Sequence, residues 1–116
     1  MLVVALETST PQTSVAIGTE QDVLGSMILS WGAGHSEVTV SALHDLLRWS
    51  EIDLRQVGGV AVGVGPGLFT GLRVGLATAR TLAQVLGVRV VGVGSLDVLA
   101  YSVRYSRSRI CAVTDA

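Results

Sequence analysis

Short apolar runs separated by polar turns mark the first quarter of the chain as β-structure. Leu2–Leu6 is apolar and rich in β-branched residues, Ser14–Gly18 alternates between apolar and polar positions, and Asp22–Ser30 continues after a short polar turn. Runs of this length bounded by polar clusters are typical of strands. Because the connections are short enough for hairpins, the pattern predicts an antiparallel meander of three strands.

The pattern then becomes helical. Apolar residues between Val38 and Leu47 follow helical spacing, which predicts a first helix from Gly34–His35 to about Ser50. Gly58–Gly65 is a continuous apolar run, as in a strand covered on both faces, and we expect it at the centre of the sheet.

The remaining elements alternate between helix and strand. The pattern predicts a second helix over Phe69–Leu86 that stops at Gly87, a strand over Val88–Val93, a helix capped by Ser95 and running to about Arg104, and a strand over Arg109–Thr114. A meander followed by strand, helix and strand indicates an α/β domain with a mixed sheet and helices packed on it.

The densest motif is glycine-rich and lies where a predicted strand meets the second helix. Five glycines fall within Gly63–Gly75, an arrangement that can bring backbone amides together around an anion. A Walker loop is excluded because the chain has no lysine, and Gly-x-Gly-x-x-Gly fails because Leu68 and Thr70 stand at its third glycine position. Packing is the better interpretation of these glycines.

Small residues recur every fourth position along the second helix, at Gly71, Gly75, Ala79 and Ala83. Such a stripe lets another backbone come close. The stripe faces outward if the opposite side of the helix lies on the sheet. Alternatively it packs inside the domain, against the first helix. Periodicity does not separate these two arrangements.

Composition narrows the class of protein. Charged residues make up only 15% of the 116 residues and apolar residues 49%, which excludes disorder and suggests surfaces that something else covers. A net charge of −1 argues against nucleic-acid binding, and the basic residues Arg104, Arg107 and Arg109 beside Tyr105 are interpreted as a solvated loop. Cys111 lies in an apolar run and is expected to be a buried, inert thiol. Neither a signal peptide nor a membrane-spanning segment is expected.

Few residues are candidates for catalysis or for binding a ligand or metal. Hydroxyls between the first two strands could contact phosphate but are more typical of a turn, and Glu7 at the first strand's end lacks a partner carboxylate for acid–base work. His35 and His44 do not have metal-ligand spacing. No catalytic constellation is indicated.

The residues nevertheless resemble a known family. The opening Val-Val-Ala-Leu-Glu-Thr-Ser-Thr, the segment His35-Ser-Glu and above all Gly-Val-Gly-Pro-Gly-Leu-Phe-Thr-Gly-Leu-Arg-Val-Gly-Leu-Ala-Thr-Ala-Arg are similar to the TsaB (YeaZ) family of tRNA threonylcarbamoyladenosine biosynthesis subunits. The resemblance implies an actin-like (ASKHA, ribonuclease-H-like) domain with a mixed five-stranded sheet. It further implies that residues 1–108 form the first of two such domains and that 109–116 begin a truncated second one.

The resemblance implies a non-catalytic subunit in the cytoplasm. It would support threonylcarbamoyl transfer to the adenosine next to the anticodon by dimerising with a TsaD-type catalytic subunit, alongside a TsaE-type ATPase. A homodimer is expected for the chain alone, with tRNA reached indirectly through the complex. A small-molecule kinase or ATPase of the actin-like fold is the alternative.

The implied sites follow from the same resemblance. The metal-binding His-x-x-x-His pair of the catalytic paralogue aligns with Ser95 and Leu99, so no metal or catalytic residue is expected. No cofactor is expected on this chain, with ATP bound only in the assembled complex. A weak nucleotide contact would involve Glu7, Thr8, Ser9 and Thr10. The expected partner interface comprises Leu43, Leu46, Leu47, Leu72, Arg73, Gly75, Leu76, Ala79 and Arg80.

Overall fold

Five strands form one mixed sheet in the computed structural model, which describes residues 1–30 and 35–114. The strands are β1 (Leu2–Glu7), β2 (Thr13–Gly18), β3 (Val23–Leu29), β4 (Val57–Gly63) and β5 (Arg89–Val93), in the spatial order β3-β2-β1-β4-β5. The first three strands are antiparallel, whereas β4 runs parallel to both β1 and β5. The predicted meander and mixed five-stranded sheet are confirmed.

Three α-helices connect and cover the strands: α1 (His35–Trp49), α2 (Phe69–Leu86) and α3 (Ser95–Tyr101). A 3-10 turn over Leu54–Gln56 leads into β4. Within the described residues, no helix has the length and apolar character needed to cross a membrane.

The core lies between one face of the sheet and the helices α1 and α2. Alternate strand residues point into the core, because side chains of a strand alternate between the two faces of a sheet. Apolar residues of both helices point into it from the other side. The buried apolar residues are Val4, Leu6, Val15, Ile17, Ala42, Leu43, Leu46, Val57, Val60, Val62, Ala79 and Ala83.

A row of small side chains crosses the opposite face of the sheet. Ser26, Ala16, Ala5 and Ala61 stand side by side on β3, β2, β1 and β4. Val98 of α3 reaches the shallow depression over this row.

Two predictions are wrong: the strand at the centre of the sheet and the residue that caps α3. The central strand is β1, and β4 lies beside it, because the hairpin strands extend the sheet on one side and β5 on the other. Gly94, in extended conformation, caps α3, so that Ser95 is the first helical residue, and the helix ends at Tyr101 before a run of turns.

The predicted strand over Arg109–Thr114 does not form in the described part of the chain. A strand needs a neighbour to satisfy its backbone groups, and none pairs with this segment within residues 1–30 and 35–114. Cys111, expected to be buried there, is exposed for the same reason.

Candidate functional site

The small-residue stripe of α2 faces the interior of the domain. Gly71, Gly75, Ala79 and Ala83 are all buried, which confirms that the stripe faces inward and excludes the outward arrangement. Gly71 and Gly75 lie against Thr8 and Val62 of the sheet, whereas the expected neighbour was the first helix. The hydroxyl of Thr8, at the end of β1, donates to the carbonyl of Gly71 over 2.6 Å. A Cβ atom added at Gly75 would overlap the same hydroxyl. The stripe therefore lets the α2 backbone lie against the β1 end.

This orientation divides the predicted partner interface. Leu43, Leu46, Gly75 and Ala79 are buried within the domain, where the fold itself uses them. The other five predicted residues retain accessible surface, with both arginines exposed: Leu47, Leu72, Arg73, Leu76 and Arg80.

Large exposed apolar side chains on α1 and α2 were missed by the sequence analysis. Val40 and Trp49 on α1 are 57% and 77% exposed, and Phe69 on α2 is 73% exposed. The Arg73 guanidinium lies 5.4 Å from the centre of the Phe69 ring, and Arg48 lies 5.8 Å from Trp49. Phe69 lies on the side of α2 opposite the small stripe. An inward placement of the stripe would therefore have predicted that Phe69 is exposed.

We call the accessible surface of these helices the helical face. It combines apolar side chains with Arg73 and Arg80 of α2, and beside Phe69 and Arg73 it holds a shallow groove of about 400 Å³. Its members are Val40, Leu47, Trp49, Phe69, Leu72, Arg73, Leu76 and Arg80.

The first hairpin loop uses its polar groups within the domain. Thr8 is fully buried and Ser9 nearly so. The Ser9 amide donates to Glu7 Oε1 over 2.7 Å, and the Ser9 carbonyl accepts from the Leu68 amide over 2.8 Å. Thr10 Oγ1 accepts from the Gln12 amide over 3.2 Å, as in a turn. The loop thus holds β1 to the entrance of α2.

Glu7 keeps one carboxylate oxygen, Oε2, that is buried and has no hydrogen-bond partner among the described residues. Gly63 makes room for it, because a Cβ there would overlap the carboxylate. The adjoining cleft has a volume of about 170 Å³ and is bordered by Glu7, Ser9, Thr10 and Ser95 among others.

A bound nucleotide does not fit these residues well. Pockets for drug-sized ligands measure about 300–1,000 Å³, more than the 170 Å³ of this cleft. The buried hydroxyl of Thr8 is already committed to Gly71.

Ser95 and Leu99, which align with the metal-binding histidine pair of the catalytic paralogue, have other roles in this chain. Ser95 is buried and its Oγ accepts from the Gly65 amide over 3.1 Å, while Leu99 is 45% exposed on α3. Across the described residues, no group of three or more His, Cys, Asp or Glu side chains is placed to hold a metal ion.

Sheet order, strand directions and helix placement define the class of protein as the actin-like, ribonuclease-H-like fold. A solved structure, YeaZ from Pseudomonas aeruginosa, matches with a TM-score of 0.84 and 31% identity, covering 91% of this chain and 49% of that one. The family model described as "TsaD: tRNA N6-adenosine threonylcarbamoyltransferase" matches residues 31–116.

Two curated relatives have the description "tRNA threonylcarbamoyladenosine biosynthesis protein TsaB". That of Bacillus subtilis is 31% identical over 116 residues, and that of Escherichia coli is 30% identical over 118. Each alignment covers all of this chain and 51% of the relative. The chain belongs to the TsaB (YeaZ) family and spans about half the length of these relatives.

Proposed function

We propose that the chain is a non-catalytic subunit of a cytoplasmic complex that transfers a threonylcarbamoyl group to the adenosine next to the anticodon of tRNA. Its role is to pair with a TsaD-type catalytic subunit. The names of the relatives and the match to the TsaD family support this assignment.

The helical face is the observation that carries the proposal. Phe69 and Trp49 expose most of their surface although large apolar side chains normally lie inside a domain. Protein interfaces are enriched in aromatic residues and in arginine. The helical face has both, since Arg73 and Arg80 are exposed beside its aromatic side chains. The face therefore has the composition of a surface that a protein partner covers.

Neither of the two candidate sites on this chain offers catalytic groups. Ser95 and Leu99 cannot replace imidazole ligands of a metal. The hydroxyl of Thr8 is committed to the α2 backbone. Catalysis thus belongs to the partner, and ATP, a TsaE-type ATPase and tRNA join in the assembled complex.

A pull-down with the TsaD-type subunit of the same organism tests the pairing. Phe69→Asp places a charge on the helical face and is expected to reduce capture at least tenfold. Ile28→Asp is the matched control, because Ile28 is 63% exposed and lies between Met27 and Leu29, on the face of β3 that points away from α1. The control should be captured like the unmodified chain.

Self-association provides a second readout of the same surface. We expect the chain alone to form a homodimer through the helical face, so Phe69→Asp should shift the mass measured by light scattering toward the monomer. Equal capture of Phe69→Asp and the unmodified chain by the TsaD-type subunit would contradict the proposed pairing.

A further inference from the structure

The segment from Tyr101 to Arg109, which we call the arginine–tyrosine segment, is exposed throughout. The Arg104 guanidinium lies 3.9 Å from the centre of the Tyr101 ring and 4.6 Å from that of Tyr105. Its Nη1 also donates to the Tyr101 carbonyl over 2.9 Å. Two aromatic rings and a planar cation are therefore held together in solvent.

The charge of this segment differs from that of the whole chain. Arg104, Arg107 and Arg109 lie within six residues, and residues 98–114 contain no Asp or Glu. None of the three forms an ion pair with another described residue. The nearest preceding carboxylate, Asp97, lies in the first turn of α3, four residues before Tyr101.

Local charge outweighs net charge at this range. Salt screens interactions beyond a Debye length of about 8 Å at physiological ionic strength. A phosphate docked on the segment thus experiences the three arginines more than the distributed charges that give the chain its net −1.

We propose that the arginine–tyrosine segment binds single-stranded RNA. Arg107 and Arg109 contact phosphates, and unstacked bases lie on the Tyr101, Arg104 and Tyr105 planes. Loops of RNA are recognised by stacking of splayed bases on aromatic rings and guanidinium planes. The inference rests on the proposed function, and it adds a direct RNA contact where the sequence analysis expected only an indirect one.

Fluorescence anisotropy with a labelled anticodon stem–loop RNA tests the proposal on the 116-residue chain without any partner. Three variants are compared at 50 and 200 mM salt. They are Arg104→Ala/Arg107→Ala/Arg109→Ala, Tyr101→Leu/Tyr105→Leu, and the control Arg48→Ala/Arg55→Ala/Arg89→Ala, which removes the same charge elsewhere.

The arginine variant should bind at least about tenfold more weakly at 50 mM salt. Its slope of log affinity against log salt should fall by about 1.4, as expected for the two phosphate contacts of Arg107 and Arg109 at roughly 0.7 each. The tyrosine variant should also bind about tenfold more weakly but keep its salt slope. The control should change affinity less than about threefold, and circular dichroism should be unchanged for all three.

Three outcomes would overturn the proposal: equal losses for the arginine variant and its control, an unaffected tyrosine variant, or binding of anionic lipid vesicles but not of RNA. Because this assay contains no TsaD-type subunit and the pull-down contains no RNA, failure of either proposal is recognised separately.

Discussion

Thr8 joins two elements through one hydroxyl. It donates to the Gly71 carbonyl from a fully buried position, and the same oxygen fills the space that Gly75 leaves open. A buried acceptor left without its donor costs about 1–3 kcal/mol. The hydroxyl-rich sequence after β1, which is more typical of a turn than of a phosphate site, therefore also fixes the position of α2.

A double-mutant cycle between Thr8 and Gly75 tests this contact. Gly75→Ala alone should destabilise the domain by about 1–2 kcal/mol, because overpacking outweighs alanine's higher helix propensity. In a Thr8→Ala background the collision is gone, and Gly75→Ala should be neutral or stabilising. Urea denaturation measures both steps, and strictly additive effects would contradict the contact.

Asp53 makes stability depend on pH at the entrance to β4. Its carboxylate accepts hydrogen bonds from the Arg55 side chain, at 2.8 and 3.2 Å, and from the Arg55 amide at 2.9 Å, and these lower the pKa of Asp53 to about 2. A depressed pKa means that the folded state favours the ionised form, so this stabilisation is complete above the ordinary pKa near 3.9 and is lost as pH falls toward about 2.

Asp53→Asn retains a capping oxygen but does not titrate. The difference in urea midpoint between the unmodified chain and Asp53→Asn should therefore shrink as pH falls from about 5 to about 2. A difference that stays constant over this range would show that the Asp53 carboxylate does not stabilise the fold through its charge.

At the scale of elements, strand and helix positions were predictable wherever a local pattern is bounded by turn residues. β1, β2 and α2 fall within a residue of prediction because their apolar periods end at polar clusters or at Gly87. Arg109–Thr114 shows the limit, because an apolar run forms a strand only where a neighbour pairs with it.

The orientation of α2 could not be predicted for a related reason. Its small stripe and its opposite face are both compatible with helical periodicity, and the choice depends on Thr8, which lies 63 residues before Gly71. The exposure of Phe69 follows from that choice. Four of the nine predicted interface residues therefore lie in the interior of the domain, and the other five keep accessible surface.

Gly87 ends α2 in a left-handed conformation with a φ of 67°, and its amide donates to the Ala83 carbonyl. A Cβ there would touch nothing within 4 Å, so backbone strain alone opposes substitution. Gly87→Ala should cost about 1–2 kcal/mol of unfolding free energy, and Gly87→Asn less, because asparagine tolerates this region. Equal costs for the two variants in urea denaturation would contradict this explanation.

At the scale of the molecule, the low charge fraction of 15% goes with many exposed apolar side chains. Exposed apolar residues lie on the helical face, and others lie on the strands, such as Leu24 and Ile28 of β3 and Val91 of β5. The arginine–tyrosine segment lies beyond α3 and carries three of the eight basic residues. The chain therefore presents separate surfaces, one suited to a protein partner and one to RNA.

Hydrogen–deuterium exchange with and without the TsaD-type subunit tests the central claim, pairing through the helical face, most directly. The account predicts that the partner slows amide exchange in α1 and α2, around Val40, Trp49 and Phe69, and leaves β3 and the arginine–tyrosine segment unchanged. Protection confined to β3, β5 or the sheet face opposite α1 and α2, with none in the two helices, would contradict it.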